Sequence, residues 1–475
     1  MKINQLIKST PSFQVLSEDQ IERLYFAALD VLLQTGLRLP DTPTARSLCA
    51  GRAMLSAQGQ PRFQPALIRE ALRSHPEKVV VSGRSAQASI RLQKDEVHFG
   101  SGSSQPGFLE RGASQSRPVS GDECERIARL VDGLPHFDLC SVPGRPGPSA
   151  SGYSDEQTFL ALLEGCGKPL MTRTAHAGVL RRQWRMASCL RDEQELRRNP
   201  LFIEKVEPEA PLSPGQAPLE KLHACVDHGI PCLYSPGLIA GHNAPLSLAG
   251  VLVLALADCL AISVLSYLKG PGAPLIFGPR FGIAPDAESP DCLACPEVAL
   301  LQAAFIDIAK WLRLPAVSVG GLTDACSLDE RAAIDMVTGL YYGFLSGSNL
   351  VHEAGSLGSG SCLSLDGLVL SNEIIGMIKH IGRGISTDDE YLALDLIESI
   401  GPGGEYLTSE HTLEHFKEWF RPRLQDRSTF DDWLGKGSRS MLGRIEAESD
   451  RILSEHVPEP LDPDIREAMA ASLRQ

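Results

Sequence analysis

The chain has 475 residues, 43% hydrophobic and 22% charged, with a formal net charge of −14. That length holds one large domain of about 250–300 residues plus extensions. The acidic balance argues against nucleic acid and anionic membrane as partners, because both demand a basic face. The one basic cluster, RRQWR at 181–185, reads as a solvated helix face.

The opening MKINQLIKST lacks the apolar run of a secretory signal. The expectation is a cytoplasmic protein whose twelve cysteines are reduced. Residues 1–76 read as a helical N-terminal extension. In SEDQIERLYFAALDVLLQTG (17–36), Ser17 suits an N-cap, Glu18 and Asp19 suit the positive helix end, and Gly36 suits a stop. TPTARSLCAGRAML (42–55) and QPALIREALRSHP (64–76) read as two further amphipathic helices.

From about residue 77, short apolar runs alternate with helical stretches. The strand-like runs are EVHFG (96–100), FDLCSV (137–142), KPLMTR (168–173), LFIEKV (201–206), PCLYSP (231–236), APLIFG (273–278), PAVSVGG (315–321) and NLVHEAG (349–355). A helix candidate follows each of them. One of these, LSLAGVLVLALADCLAISVLSYL (246–268), is long enough to cross a membrane. Its Asp258, its serines and the Pro/Gly turn after it favour a buried helix packed on a sheet.

Eight such pairs predict an α/β fold, a TIM (β/α)8 barrel, over residues 77–383. An open doubly wound sheet is the rival, but no GxGxxG follows the first strand. Residues 384–475 are expected to be a helical segment packing on the barrel. Its stretch 401–437 is rich in aromatic and His residues, and nothing in the spacing there demands catalysis.

Chemistry in such barrels sits at the C-terminal strand ends. Those positions offer Phe99, Arg173, His176, Glu204, Tyr234, His242, Asn243, Phe277, Arg280, Phe281, Asp324, His352 and Glu353. The set holds no Ser/His/Asp elbow, HExxH or P-loop. Aromatic faces mixed with acids suit a quaternary ammonium ligand, although each ring also reads as core. Cys292-x-x-Cys295 supplies two ligands where a structural zinc needs four, so no metal site is expected.

Several longer stretches carry a family likeness. They include LYFAALDVLLQTGLRL (24–39), RPVSGDECERIARLVDGLPHFD (117–138), APLSLAGVLVLALADCLA (244–261), GGLTDA (320–325), VHEAG (351–355), GPGGEYL (401–407) and HTLEHF (411–416). Through them the chain resembles the trimethylamine methyltransferase family, and within it the members without pyrrolysine that act on quaternary amines such as betaines. The resemblance implies a TIM barrel that moves a methyl group from an amine nitrogen to cob(I)alamin. The corrinoid is carried by a separate small corrinoid protein docked over the barrel mouth, so no tightly bound cofactor is expected in this chain.

On this resemblance His352 belongs to the corrinoid-facing rim, with Glu353 holding its ring. Phe99, Tyr234, Phe277 and Phe281 are candidates for the ammonium cage. Asn243 or Arg280 would hold a substrate carboxylate, and Asp324 joins the substrate-binding set. A homo-oligomer is expected. The loops GHNAPLS (241–247) and DCLACPE (291–297) depart from the family pattern, and both should face the mouth. Two rival functions stand beside this one. One is a quaternary-amine binder that lost the corrinoid dock, and the other is a metal-dependent barrel lyase, for which the carboxylates are too few.

Overall fold

Eight runs rich in Val, Ile, Leu and Phe pair side by side in one direction, as strands buried on both faces do. They are β1 (His98–Ser101), β2 (Cys140–Ser141), β3 (Leu170–Thr172), β4 (Phe202–Val206), β5 (Cys232–Tyr234), β6 (Leu275–Phe277), β7 (Val317–Val319) and β8 (Leu350–Ala354). β2 to β6 form one parallel sheet, and β7, β8 and β1 another. Parallel bridges Gly100–Leu139 and Phe277–Ala316 join the two sheets into a closed ring.

Each strand is followed by a helix: α1 (Gly121–Gly133), α2 (Asp155–Gly165), α3 (Ala177–Ala187), α4 (Gln216–His228), α5 (Leu248–Lys269), α6 (Pro296–Trp311), α7 (Glu330–Leu345) and α8 (Leu365–Ile381). The fold is a TIM (β/α)8 barrel. This computed structural model describes residues 8–9, 11–42, 45, 48–57, 59–85, 88–103, 105–144, 154–284 and 291–472.

Local chemistry starts these helices where the sequence suggests. Ser154 and Gln157 close a reciprocal capping box on α2, at 3.2 and 2.7 Å. The N-terminal helix Glu18–Gln34 is capped in the same way by Ser17. Gly36, just beyond it, has φ +77°, and a Cβ there would fall 2.4 Å from the Pro61 carbonyl oxygen. α5 is long and apolar enough to cross a membrane, yet 72% of its apolar window is buried. It packs between the barrel, the N-terminal helix and the helix Pro65–Ser74.

The single helix expected over 42–55 is not found. Among the described residues only 45, 48 and 49 are helical, and Met54–Leu55 is a strand paired with Pro61–Arg62. Residues 43, 44, 46 and 47 lie outside the described residues. A hairpin, Val79–Ser82 with Ser89–Leu92, precedes β1. Its Val79, Val81, Ile90 and Leu92 form one separate core with Leu139, Met171, Ile203, Leu233, Ile276, Val317 and Leu350. Six strands, and Leu139 just before β2, thus contribute one residue each to a layer inside the ring, and the hairpin packs on that layer.

This layer fixes the phase of every strand, because side chains alternate between faces. The next inward positions toward the C-terminal ends are Ser141, Arg173, Lys205, Ser235, Gly278, Val319 and His352. Beyond α8, the helix Met441–Glu455 packs on α8 and α1. Between them lie four short helices, Asp389–Leu392, Leu394–Ile400, Glu410–His415 and Phe430–Gly435, that bury no residue at all.

Candidate active site at the barrel mouth

β8 presents two consecutive residues to the same side. Leu350 lies in the inner layer, so His352 faces inward by simple alternation. It pairs in register with Val319. Gly100 of β1 leaves room for it, since a Cβ at Gly100 would sit 3.3 Å from the His352 Cβ. Alternation should then turn Glu353 outward. Instead its φ is +77°, and the pairing of β8 with β1 shifts register between Val351 and Ala354. The bulge swings the Glu353 carboxylate inward. A non-glycine residue in the left-handed region costs about 1–3 kcal/mol, which the surrounding bonds must offset.

Those bonds are numerous. Glu353 Oε2 accepts from the Ser103 amide at 3.0 Å and from Gln105 Nε2 at 2.6 Å. The Ser103 hydroxyl donates to Oε1. Lys205 Nζ, on β4, donates to Glu353 Oε1 and Ser103 Oγ, both at 3.2 Å. Lys205 Nζ also stands 3.4 Å from Glu207 Oε1, and Arg173 Nε donates to Glu207 Oε2 at 2.6 Å. The side chains of Lys205, Glu353 and His352 are 2%, 5% and 1% exposed, so these charges meet one another out of bulk water.

Burial is the largest influence on Glu353 and would raise its pKa. Lys205, His352 and the Ser103 hydroxyl outweigh it and hold the carboxyl well below the usual range. Burial likewise dominates His352 and lowers it, with Glu353 in partial opposition, so the imidazole is neutral at pH 7. For Glu207, burial is again overcome by Lys205, Arg173 and Arg280, which bring it down to about 2. Among the described residues, Arg173, Lys205 and Arg280 thus act together on Glu207, and Lys205 also faces Glu353. Among the described residues of the mouth, Gln105 Oε1 and His352 Nδ1 are buried without a hydrogen-bond partner. The latter lies 3.2 Å from Glu353 Oε1 but is misaligned for a bond.

The four aromatic candidates for a cage are not brought together there. Tyr234 and Phe277 pair with each other one residue out of phase from the inward Leu233 and Ile276. Tyr234 Oη donates to Asp258 Oδ1 of α5 at 3.0 Å. Phe281 packs edge-on against Phe305 of α6, and Lys379 of α8 lies over the Phe99 ring. All four rings belong to the contact between strands and helices.

Asn243 closes its own turn, donating to the Gly237 carbonyl at 2.9 Å and accepting from the Ile239 amide at 2.7 Å. Asp324 accepts from the Leu293 and Ala294 amides and from Ser359 Oγ, tying the 291–297 loop to the loops beyond β7 and β8. Glu204 points outward to Thr172, Thr174 and Lys221. His352 and Glu353 adjoin each other, and Arg280 acts on the neighbouring Glu207.

The convergent residues that strand-end reading missed are Lys205, Glu207, Ser103 and Gln105. For the first two a signal exists. In LFIEKVE, taking Ile203 as inward makes Lys205 and Glu207 inward too. Ser103 and Gln105 come from an aperiodic loop and carry no such signal. Parts of the loops beyond β1, β2 and β6 (104, 145–153 and 285–290) lie outside the described residues.

The family described as Trimethylamine methyltransferase (MTTB) matches residues 1–475. The glycine betaine methyltransferase of Desulfitobacterium hafniense (strain Y51) is 26% identical over 470 residues, 98% of this chain and 97% of that protein. Trimethylamine methyltransferase MttB of Desulfitobacterium hafniense (strain DSM 10664 / DCB-2) is 26% identical over 464 residues, covering 96% of this chain and 92% of that one. Among solved structures, the monomethylamine methyltransferase MtmB of Methanosarcina barkeri shares the fold. Its TM-score is 0.52 at 11% identity, over 94% of this chain and 88% of that one.

Proposed function

This chain belongs to the trimethylamine methyltransferase family, and from that premise we propose that it transfers a methyl group from a carboxylate-bearing quaternary amine, a betaine, to cob(I)alamin carried by a separate corrinoid protein. The observation that carries this reading is the charge of the mouth. Among the described residues, three cationic side chains, Arg173, Lys205 and Arg280, gather around Glu207, which suits a substrate with an anionic end. The relative named for glycine betaine supports the same substrate class.

Charge also matters for the chemical step. As the C–N bond breaks, its electron pair stays on nitrogen and the amine leaves neutral. Cob(I)alamin, when presented by its carrier, would supply the electron pair for the new bond to the methyl carbon. A quaternary nitrogen thus loses its positive charge, and no proton is needed. Cationic side chains at the site favour that loss, while the substrate carboxylate, paired with Arg280 or Arg173, supplies the binding. An acid placed against the nitrogen would stabilise the starting state more than the transition state.

His352 is the buried, neutral group at the end of β8, and Glu353 fixes its surroundings. Its role is to orient the reacting partners, which is where most of the rate in a direct displacement originates. The test mixes the chain, a cob(I)alamin-loaded carrier protein and a panel of betaines and methylamines, and follows the cobalt(I) spectrum. Methylation by a betaine and not by trimethylamine is the expected result. Methylation by trimethylamine alone would overturn the substrate class, and none with any amine would overturn the activity.

A further inference from the structure

The C-terminal segment holds a second cluster of ionisable side chains, far in sequence from the mouth. Glu390, Glu414 and His415 bring one ligand atom each within 4.8 Å of one another. His415 Nδ1 is spoken for, because it lies 2.9 Å from Glu418 Oε1. Glu418 is itself anchored by the Tyr391 hydroxyl at 3.0 Å. A carboxylate on Nδ1 leaves Nε2 as the lone-pair nitrogen, the arrangement that metal-bound histidines adopt.

That Nε2 is buried and accepts no hydrogen bond. It faces Glu390 Oε1 at 3.8 Å. One helical turn away, His411 stacks on His415 with ring centroids 4.2 Å apart, and its Nε2 is also buried without a partner. His411, His415 and Tyr391 line an open pocket of about 760 Å³. An imidazole lone pair beside two carboxylates is a cation site by its chemistry. Imidazole with carboxylate favours Zn²⁺ over Mg²⁺ or Ca²⁺, which take oxygen.

Leu424 and the Glu373 carboxylate anchor this segment to the barrel toward its far end. Its four short helices bury no residue, while Leu394, Leu407, Leu413 and Trp419 are exposed. A stretch without a core of its own is held by staples. We propose that Glu390, Glu414 and His415 bind one Zn²⁺ ion, with water as the fourth ligand, and that the ion ties the helix Asp389–Leu392 to the helix Glu410–His415.

This site is independent of the methyl-transfer reading. The test uses the full chain stripped with chelator and titrated with Zn²⁺ by calorimetry, beside H415A and the surface double variant Glu390→Gln/Glu414→Gln. Wild type should bind one ion more per chain than either variant, and Zn²⁺ should slow proteolysis within 387–437 only in wild type. Glu418→Gln should weaken binding about 10–100-fold. Co²⁺ in place of Zn²⁺ should show ligand-field bands without a thiolate charge-transfer band, which separates this site from the cysteines. Equal Zn²⁺ in wild type and the double variant, or a thiolate band, would overturn the proposal. The double variant changes two exposed side chains, so it reads out binding even where H415A is destabilised.

Discussion

Adjacent residues of β4 make two buried Lys–Glu pairs whose carboxylates accept four hydrogen bonds each but whose backbones and neighbours differ. On the outer face, Glu204 and Lys221 lie 3.1 Å apart. Glu204 is saturated, accepting also from Thr172 Oγ1, from the Thr174 amide and from Thr174 Oγ1. On the inner face, Lys205 and Glu353 lie 3.2 Å apart. That pair rests on a left-handed residue at a bulge, beside two orphaned polar atoms. An unstrained pair is scaffold, whereas a strained residue held by its neighbours' hydrogen bonds marks a place where side chains are positioned for a ligand.

The largest effect that sharpens this contrast is on the outer pair. Glu204→Ala strands a buried ammonium and should cost about 3–5 kcal/mol in urea unfolding. The molecules that remain folded should transfer methyl groups at nearly the normal rate. The inner face should behave in reverse. His352→Ala should lower methyl transfer at least about 100-fold while circular dichroism and the melting temperature stay close to wild type. A variant that melts early and keeps its specific activity would place His352 with the scaffold.

A pH experiment probes the outer face again. Burial raises Asp258, the partner of Tyr234, to about 7. The unfolded chain loses this proton near the ordinary value of 3.8, so stability falls as pH rises from about 4 to about 7, then levels off. Asp258→Asn has no proton to lose. Its stability relative to wild type should therefore grow by roughly 1–3 kcal/mol across that window, and a constant difference would contradict the assignment. The smallest effect concerns the bulge. Glu353→Gly should be about 1 kcal/mol more stable than Glu353→Ala, because only glycine is at ease at φ +77°. Both should be inactive.

The same contrast explains what was legible in the sequence. Strand existence was plain, because eight apolar runs of Val, Ile, Leu and Phe separated by long helices leave few other folds. The hairpin at 79–92 was harder, for VVVS and SIRL are four residues each and neither carries a turn signal strong enough to stand out. Strand phase was hidden. Tyr234, Phe277, Phe99 and Glu204 each sit one residue from the inward position, and a one-residue slip exchanges the faces of a strand. In a barrel with both faces buried, hydrophobicity does not tell inside from outside. Only Leu233, Ile276 and Ile203, once packed in a common layer, do so. Glu353 defied alternation altogether, since nothing in LVHEAG announces a bulge.

The most direct test compares Lys205→Met with Lys221→Met, measuring single-turnover methyl transfer to cob(I)alamin and the melting temperature of each. The account predicts that Lys205→Met loses about 100-fold or more in rate while still folded at the assay temperature, and that Lys221→Met melts early but transfers at nearly the normal rate per folded molecule. A Lys205→Met protein that transfers methyl groups as fast as wild type would contradict it.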